Sequence, residues 1–132
     1  MNLKEFRLII AGGRDFTDYV MLRSTVDKLL RNKIRKEKIV VICGMAKGAD
    51  MLGARYANER GYKIRYFPAD WDKYGKRAGP IRNEEMAKNA DALVAFWDGE
   101  SYGTKNMIET AGKYNLEVRV KRYNKNKEKE NN

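Results

Sequence analysis

The chain has 132 residues, the size of one domain, and 42% of them are hydrophobic, which is enough to bury a core without disulfides or a structural metal. It contains no histidine, and this excludes the commonest general base, the serine–histidine and cysteine–histidine nucleophile pairs and most zinc sites. The net charge of +10 favours an anionic partner, while the sequence holds neither a recognisable signal peptide nor the ~20 apolar residues of a membrane helix, so we expect a cytoplasmic protein.

The first half of the chain predicts two strand–helix units. Residues 6–11 form an apolar run typical of a buried strand, and Thr17 or Asp18 is a suitable cap for a helix that extends to about Arg35. β-Branched residues predict a second strand over 39–43, and a second helix is predicted over 49–60. The glycine turns that follow these two strands are Gly12-Gly13-Arg14-Asp15 and Gly44-Met45-Ala46-Lys47-Gly48. Such turns leave backbone N–H groups free to bind an anion.

The second half of the chain repeats the alternation. The predicted elements are a strand over 62–67, a loop over 68–79, a helix over 81–89, a strand over 91–97, a helix over 103–114 and a strand over 116–120. The loop is long for a compact domain, and its aromatic residues Trp71 and Tyr74 favour a functional role. Pro80 suits the first turn of its helix, so Arg82 is expected in that turn, and Arg82 and Asn83 are expected near the positive end of the helix dipole.

This alternation predicts an α/β fold with a five-stranded parallel sheet in the order 3-2-1-4-5 and helices on both faces. All the glycine turns then follow the carboxyl ends of strands, which is the edge of such a sheet where ligands bind. Residues 1–123 are expected to form this single domain, and the polar residues 124–132 are expected to be a disordered tail.

The glycine turns complete neither a dinucleotide-binding fingerprint nor a Walker motif, which leaves a phosphate or ribose cradle of a more general kind. Their backbone amides are predicted to bind phosphate oxygens, with charge-assisted hydrogen bonds from Arg14, Lys47 and Arg82. The alternative is that Arg14 and Arg82 only pair with the neighbouring carboxylates of Asp15 and Glu85. We predict neither a bound metal nor a resident cofactor.

Carboxylates and aromatic rings near the same turns suit the other parts of a nucleotide. Asp15, Asp50 or Asp70 is expected to accept hydrogen bonds from ribose hydroxyls or base nitrogens, and Trp71 or Tyr74 is expected to stack on a base. The alternatives are that Asp50 only caps a helix and that Trp71 only covers the edge of the sheet. The predicted ligand-binding residues are therefore Gly12, Gly13, Arg14, Asp15, Gly44, Met45, Ala46, Lys47, Gly48, Asp50, Asp70, Trp71, Tyr74, Gly79, Arg82, Asn83, Gly99, Ser101, Gly103 and Thr104.

Five runs of the sequence carry a family resemblance. They are Gly-Gly-Arg-Asp-Phe at 12–16, Gly-Met-Ala-Lys-Gly-Ala-Asp at 44–50, Pro-Ala-Asp-Trp-Asp-Lys-Tyr-Gly at 68–75, Ala-Gly-Pro-Ile-Arg-Asn-Glu-Glu-Met at 78–86 and Trp-Asp-Gly-Glu-Ser-Tyr-Gly-Thr at 97–104. Together they resemble the YspA-like branch of the SLOG superfamily, which includes the Lonely-Guy phosphoribohydrolases and the Rossmann domain of DprA. The resemblance covers residues 8–120. It implies a Rossmann-like three-layer sandwich that recognises nucleotides or nucleotide-derived ligands, of the ADP-ribose or NAD-derivative class.

The resemblance carries binding over better than catalysis. Lonely-Guy enzymes have the motif Pro-Gly-Gly-x-Gly-Thr-x-x-Glu, whose glutamate is catalytic, whereas here the residue three places after Thr104 is Met107. Glu109 stands roughly 200° around the helix from that position, at 3.6 residues per turn. Arg82 resembles the arginine that assists phosphate binding in those enzymes. Whether this chain is an enzyme stays open, and the weak candidates for a displaced catalytic carboxylate are Glu85, Asp98 and Glu109.

Three functions are compatible with these observations. The first is binding of a nucleotide-derived small molecule by a sensor, carrier or sequestering protein. The second is hydrolysis of an N-glycosidic or phosphoribosyl bond. The third is single-stranded nucleic-acid binding like that of DprA, for which the net charge and Trp71, Trp97 and Tyr102 would supply attraction and stacking surfaces. Small helix residues and the resemblance suggest a homodimer or higher homo-oligomer, and no membrane partner is expected.

Overall fold

A computed structural model describes residues 3–125 of the chain. The strands are β1 (Glu5–Gly12), β2 (Lys38–Cys43), β3 (Lys63–Tyr66), β4 (Ala92–Trp97) and β5 (Glu117–Arg122), and the helices are α1 (Tyr19–Leu30), α2 (Ala49–Arg60), α3 (Trp71–Tyr74), α4 (Ala78–Lys88) and α5 (Tyr102–Lys113). The five strands form one sheet in the order β3-β2-β1-β4-β5, and every neighbouring pair is parallel. The predicted α/β fold and strand order are confirmed.

The sheet is covered on both faces, as its continuous apolar strands predict. Along β1, Leu8 and Ile10 belong to the core cluster that includes residues of α1 and α2, whereas Ile9 belongs to the cluster that includes residues of α4 and α5. Helix α2 lies very close to the sheet, because a Cβ atom on Gly53 would be 2.8 Å from the side chain of Ile10. These contacts give the three-layer sandwich that the resemblance implied.

Two segments differ from the prediction. Helix α1 ends at Leu30 rather than near Arg35, because the next hydrophobic side chain, Ile34, is exposed and has no core to pack against. Residues 68–79 are not a long loop, since they contain α3, a 3₁₀ turn (Gly75–Arg77) and the start of α4. Asp70 caps α3 by accepting the N–H of Lys73 at 3.1 Å.

Helix α4 begins earlier than predicted. It starts at Ala78, which places Pro80 in its first turn, where a missing N–H costs nothing. Arg82 is consequently the fifth residue of the helix, and the expectation that it lies in the first turn is wrong. Its side chain therefore reaches the site along the wall of α4 instead of from the helix start.

The chain returns to the first glycine turn after β5. Tyr123 is buried, packs edge-on against Phe16 and donates its backbone N–H to the carbonyl of Trp97 at 3.2 Å. Of the predicted tail 124–132, only Asn124 and Lys125 are within the described residues, and Lys125 Nζ lies 3.5 Å from Asp15 Oδ2. The rest of that prediction lies outside them.

Within residues 3–125, none of the helices is both long and apolar enough to cross a membrane. The same residues contain no group of three or more cysteine, aspartate and glutamate side chains arranged to hold a metal ion. The cytoplasmic location remains a prediction.

Candidate functional site

An open cleft of about 940 Å³ lies beyond the carboxyl ends of β1 and β4. These neighbouring strands are the point at which the strand order reverses. The chain after β1 leads to α1 on one face of the sheet, and the chain after β4 leads to α5 on the other, so the two connections diverge and leave a crevice between them. The walls of the cleft are the first glycine turn, the starts of α4 and α5, and Lys125.

The start of α5 forms one wall. Asp98 shapes the turn before it, since its carboxylate accepts the backbone N–H groups of Glu100 and Ser101, both at 2.8 Å. The first N–H groups of any helix have no intrahelical acceptor, and here they belong to residues that line the cleft, among them Gly103 and Thr104. A Cβ atom on Gly103 would meet nothing within 4 Å, so the cleft is open at the helix start itself.

Arg82 forms part of the opposite wall and is held by two hydrogen bonds. Its Nη1 donates to the carbonyl of Gly44, and its Nε donates to Asn83 Oδ1 at 3.0 Å. Its Nη2 has no acceptor among residues 3–125, and no unpaired side-chain nitrogen of those residues is buried, so this end of the guanidinium is accessible at the cleft. Desolvation lowers the pKa of Arg82, and the charge of Asp50 acts in the opposite direction.

Asn83 connects the two walls. Its side chain is buried, and its amide nitrogen donates to Asn106 Oδ1 at 2.9 Å and to the carbonyl of Gly103 at 3.5 Å. Its oxygen accepts from Arg82, as described above. Asn83 therefore fixes the position of the guanidinium relative to the start of α5.

The second glycine turn is packed against protein rather than open. Gly48 has φ +76°, and a Cβ atom there would collide with the backbone carbonyl of Gly13, which also accepts the N–H of Ala49 at 3.1 Å. The N–H of Ala46 donates to Asp50 Oδ2 at 3.2 Å. A carboxylate of the protein thus occupies the N–H of Ala46, one of the amides that were expected to bind phosphate.

Asp50 lies on the floor of the cleft with only 4% of its surface exposed. Desolvation raises the pKa of this carboxyl to about 6, although the N–H of Ala46 and the charge of Arg82 favour its ionised form. It follows the start of α2 and is a buried carboxylate beside a ligand-sized space. Nothing in the sequence pattern distinguished it from Asp15 and Asp70.

Asp15 and Asp70 have other partners. The hydroxyl of Tyr123 donates to Asp15 Oδ1 at 2.5 Å, and Lys125 is the cation that pairs with the other oxygen, so the expected alternative pairing with Arg14 is not seen. Asp70 caps α3 and lies outside the cleft lining. Trp71 lines the cleft beside the start of α4 and is half exposed.

The predicted ligand-binding residues divide into two groups. Those that line the cleft are Gly12, Gly13, Arg14, Asp15, Ala46, Asp50, Trp71, Gly79, Arg82, Asn83, Ser101, Gly103 and Thr104. Those outside its lining are Gly44, Met45, Lys47, Gly48, Asp70, Tyr74 and Gly99. The lining residues that the sequence reasoning missed as ligand contacts include Lys76, Glu100, Tyr102, Lys105, Asn106 and Lys125. Lys105 and Asn106 directly follow Thr104 in the first turns of α5, and their closeness to that predicted residue is the feature of the sequence that could have indicated them.

The candidate catalytic carboxylates do not form a cluster. Glu85 is exposed, lies outside the cleft lining and is 3.8 Å from Lys88, so it does not pair with Arg82. Asp98 and Glu109 line the cleft. Met107, at the position of the Lonely-Guy glutamate, lines the cleft but is buried in the core cluster shared with α4.

Comparisons with known proteins agree with this architecture. A sequence model of the YspA, cpYpsA-related SLOG family (YAcAr) matches residues 6–74. The gene 61 protein of Mycobacterium phage D29 is 34% identical over 120 residues, which cover 85% of this chain and 93% of the phage protein. An Aquifex aeolicus protein designated aq_aa40 is 30% identical over 145 residues, and the match covers 96% of this chain and 44% of that protein.

Two solved structures share the fold. DNA processing protein A (DprA) from Streptococcus pneumoniae matches with a TM-score of 0.67 and 16% identity, over 89% of this chain and 50% of the DprA chain. TM1055 matches with a TM-score of 0.60 and 20% identity, over 88% of this chain and 72% of that one. The chain thus spans half of the DprA chain.

Proposed function

We propose that the cleft of this chain, which belongs to the YspA, cpYpsA-related SLOG family, binds a nucleotide-derived small molecule of the ADP-ribose or NAD-derivative class. Membership of a SLOG family supports a nucleotide-related binding or processing role. In this proposal the protein is a sensor, carrier or sequestering protein for the bound molecule.

The observation that carries the proposal is the meeting of the start of α5 with Arg82 in one open cleft. Helix N–H groups and the helix dipole favour a phosphate at the start of α5. The accessible end of the Arg82 guanidinium supplies a charge-assisted donor for the same group. Trp71 on the cleft wall offers a ring face for a base.

The charges of the cleft favour a small ligand over a nucleic-acid strand. Its lining contains as many acidic as basic side chains, namely Asp15, Asp50, Asp98, Glu100 and Glu109 against Arg14, Lys76, Arg82, Lys105 and Lys125. Proteins that bind single strands use a groove of predominantly positive charge. The indole N–H of Trp97 donates to Ser101, and Arg122 lies over its ring, so this expected stacking surface already has partners.

The hydrolase alternative has less support. A general acid needs a raised pKa, and although desolvation raises that of Asp98, the backbone N–H groups of Ser101 and Glu100 outweigh it and lower the pKa overall. Glu85 lies outside the cleft. Release of free base from nucleoside monophosphates by the purified protein would nevertheless favour the hydrolase.

A homo-oligomer remains part of the proposal. Met45 and Tyr66 are exposed hydrophobic side chains at the ends of the neighbouring strands β2 and β3, where Cys43 and Tyr66 are paired in register. A second copy of the chain would cover such side chains. Light scattering on the size-exclusion peak should give a mass above 15.3 kDa, and a monomer mass would contradict this part.

The direct test is isothermal titration calorimetry of the full chain with AMP, ADP-ribose and NAD. We expect saturable binding of one of these in a one-to-one ratio per chain. Mass spectrometry of small molecules released from the purified protein would identify a ligand that co-purifies. Absence of binding for all three compounds, with an oligonucleotide bound in a strongly salt-dependent way, would instead favour the nucleic-acid function.

A further inference from the structure

We infer that the ribose hydroxyls of the ligand bind to the carboxylate of Asp50 on the floor of the cleft, so that the protein distinguishes a ribosyl ligand from its deoxy counterpart. This inference rests on the proposed function, in which the cleft holds a nucleotide-derived molecule.

The contacts of the other two candidate carboxylates leave Asp50 for this role. Asp70 uses its side chain as a helix cap and lies outside the cleft lining. Asp15 lines the cleft, but one of its oxygens accepts from Tyr123 and the other is paired with Lys125. Of the three aspartates, Asp50 is the one that lines the cleft and has no hydrogen bond or ion pair to another side chain among residues 3–125; its carboxylate accepts from backbone N–H groups.

The carboxylate of Asp50 retains capacity to accept hydrogen bonds. Its Oδ2 accepts the backbone N–H of Ala46, and the N–H of Gly12 also favours its charge. An ionised carboxylate has about four acceptor positions, so positions remain for two hydroxyl donors. Asp50 is only 4% exposed, so little water competes for its carboxylate, and hydrogen bonds to it are stronger than they would be at the protein surface.

The position of Arg82 determines which group fits beside Asp50. Both side chains approach Gly44, where a Cβ atom would be 2.7 Å from Asp50 Oδ2 and 2.9 Å from Arg82 Nη1. Yet the ion pairs among residues 3–125 do not include Asp50 with Arg82. A hydroxyl suits this arrangement, because it donates its proton to the carboxylate and brings no negative charge, and Nη2 of Arg82 remains for the phosphate.

A phosphate does not suit the same position. An ionised phosphate oxygen only accepts hydrogen bonds, and the negative charge of Asp50 would repel it. The free N–H groups at the start of α5 attract phosphate instead. Two parts of the cleft therefore bind different parts of the ligand, with ribose hydroxyls at Asp50 and phosphate at the start of α5.

The test compares each ribonucleotide with its deoxy counterpart by calorimetry. The probes are AMP, ADP-ribose, 2′-deoxy-AMP and 3′-deoxy-AMP, titrated into the wild-type chain, Asp50→Asn and, as the matched control, Asp70→Asn. In the wild type and the control we expect AMP to bind at least tenfold more tightly than one of its deoxy forms. In Asp50→Asn this preference should disappear, because AMP binding weakens while deoxy-AMP binding changes little.

The outcomes separate this inference from the proposed function. Equal affinity of the wild type for AMP and both deoxy forms would overturn the role of Asp50 and leave nucleotide binding intact, and this measurement needs no variant to fold. A preference retained in Asp50→Asn would place the ribose elsewhere. No binding of any of the four probes would overturn the proposed function, and this inference with it.

Discussion

Two glycine turns at the same edge of the sheet look alike in sequence and differ in structure. At Gly48, a Cβ atom would collide with the backbone of the first glycine turn, whereas at Gly103 it would meet nothing within 4 Å. The first glycine is needed because protein approaches it, and the second leaves open the space where a ligand can approach. A glycine turn is therefore a binding site only when the missing side chain faces an open cleft.

The largest expected effect is on stability at Gly48. Gly48→Ala forces an alanine into a left-handed conformation and against the carbonyl of Gly13, so we expect a loss of roughly 3–5 kcal/mol in the free energy of unfolding. Urea unfolding followed by circular dichroism measures it. Gly103→Ala is the matched control and should lose nothing, since alanine is the better helix former. Equal losses in both variants would remove the distinction between the turns.

The second effect is on binding at Gly103. Gly103→Val places a branched side chain over the N–H groups at the start of α5, and we expect nucleotide affinity to fall at least 100-fold, which is about 2.7 kcal/mol. Gly112→Val is the control on the same helix, because a Cβ atom there also meets nothing within 4 Å but the residue does not line the cleft. Calorimetry with AMP compares the two. Unchanged affinity in Gly103→Val would mean that the ligand does not approach α5.

The fold could be predicted from the sequence because alternating apolar runs and helical patterns leave few arrangements of a parallel sheet. The start of α5 was predicted for a local reason, since Gly103 and Thr104 follow a buried strand directly. The packing at Gly48 was not predictable in the same way, because it depends on the backbone of a turn 35 positions earlier in the chain, at Gly13.

Long-range contacts explain the other differences. The partner of Asp15 is Tyr123, which is 108 residues away in sequence, and no local pattern connects them. Lys125 belongs to a segment whose composition predicts a tail, yet its ammonium group reaches Asp15 at the cleft. Segment 68–79 was interpreted by its length, whereas Asp70 and Gly75 divide it into short helical turns.

Arg82 belongs to both regions and gives the third effect. Its Nη1 donates to the carbonyl of Gly44 in the second glycine turn, residues 44–48, while its Nη2 is accessible at the open cleft. Arg82→Ala should weaken nucleotide binding by about 1.5–3 kcal/mol and reduce stability by about 1 kcal/mol. Arg82→Lys should recover only part of the affinity, because lysine lacks the planar fork. Arg31→Ala, at an exposed site beyond α1, is the control, and equal affinity in Arg82→Ala would exclude the proposed anion site.

The smallest expected effect concerns the carboxylate of Asp50, which accepts the N–H of Ala46 in the second glycine turn. Burial raises the pKa of Asp50 from 3.8 to about 6. The N–H of Ala46 and the positive charges of Arg82 and Arg14 act in the opposite direction and lower this pKa. Because the folded state holds this proton more tightly, the contribution of Asp50 to stability is complete below about pH 3.8 and is lost as the pH rises through about 6. Asp50→Asn removes this dependence.

The free energy of unfolding of Asp50→Asn, relative to wild type, should therefore increase by roughly 2 kcal/mol between about pH 4.5 and about pH 7.5. Urea unfolding at both pH values measures the change. Asp72→Asn, at an exposed site, is the control variant and is measured at the same two pH values. If the free energies of unfolding of Asp50→Asn and wild type change equally with pH, the carboxylate is hydrated and the second glycine turn is open to solvent. An increase, together with lost ribose preference, would show that this chain retains a destabilising buried charge because the ligand needs it.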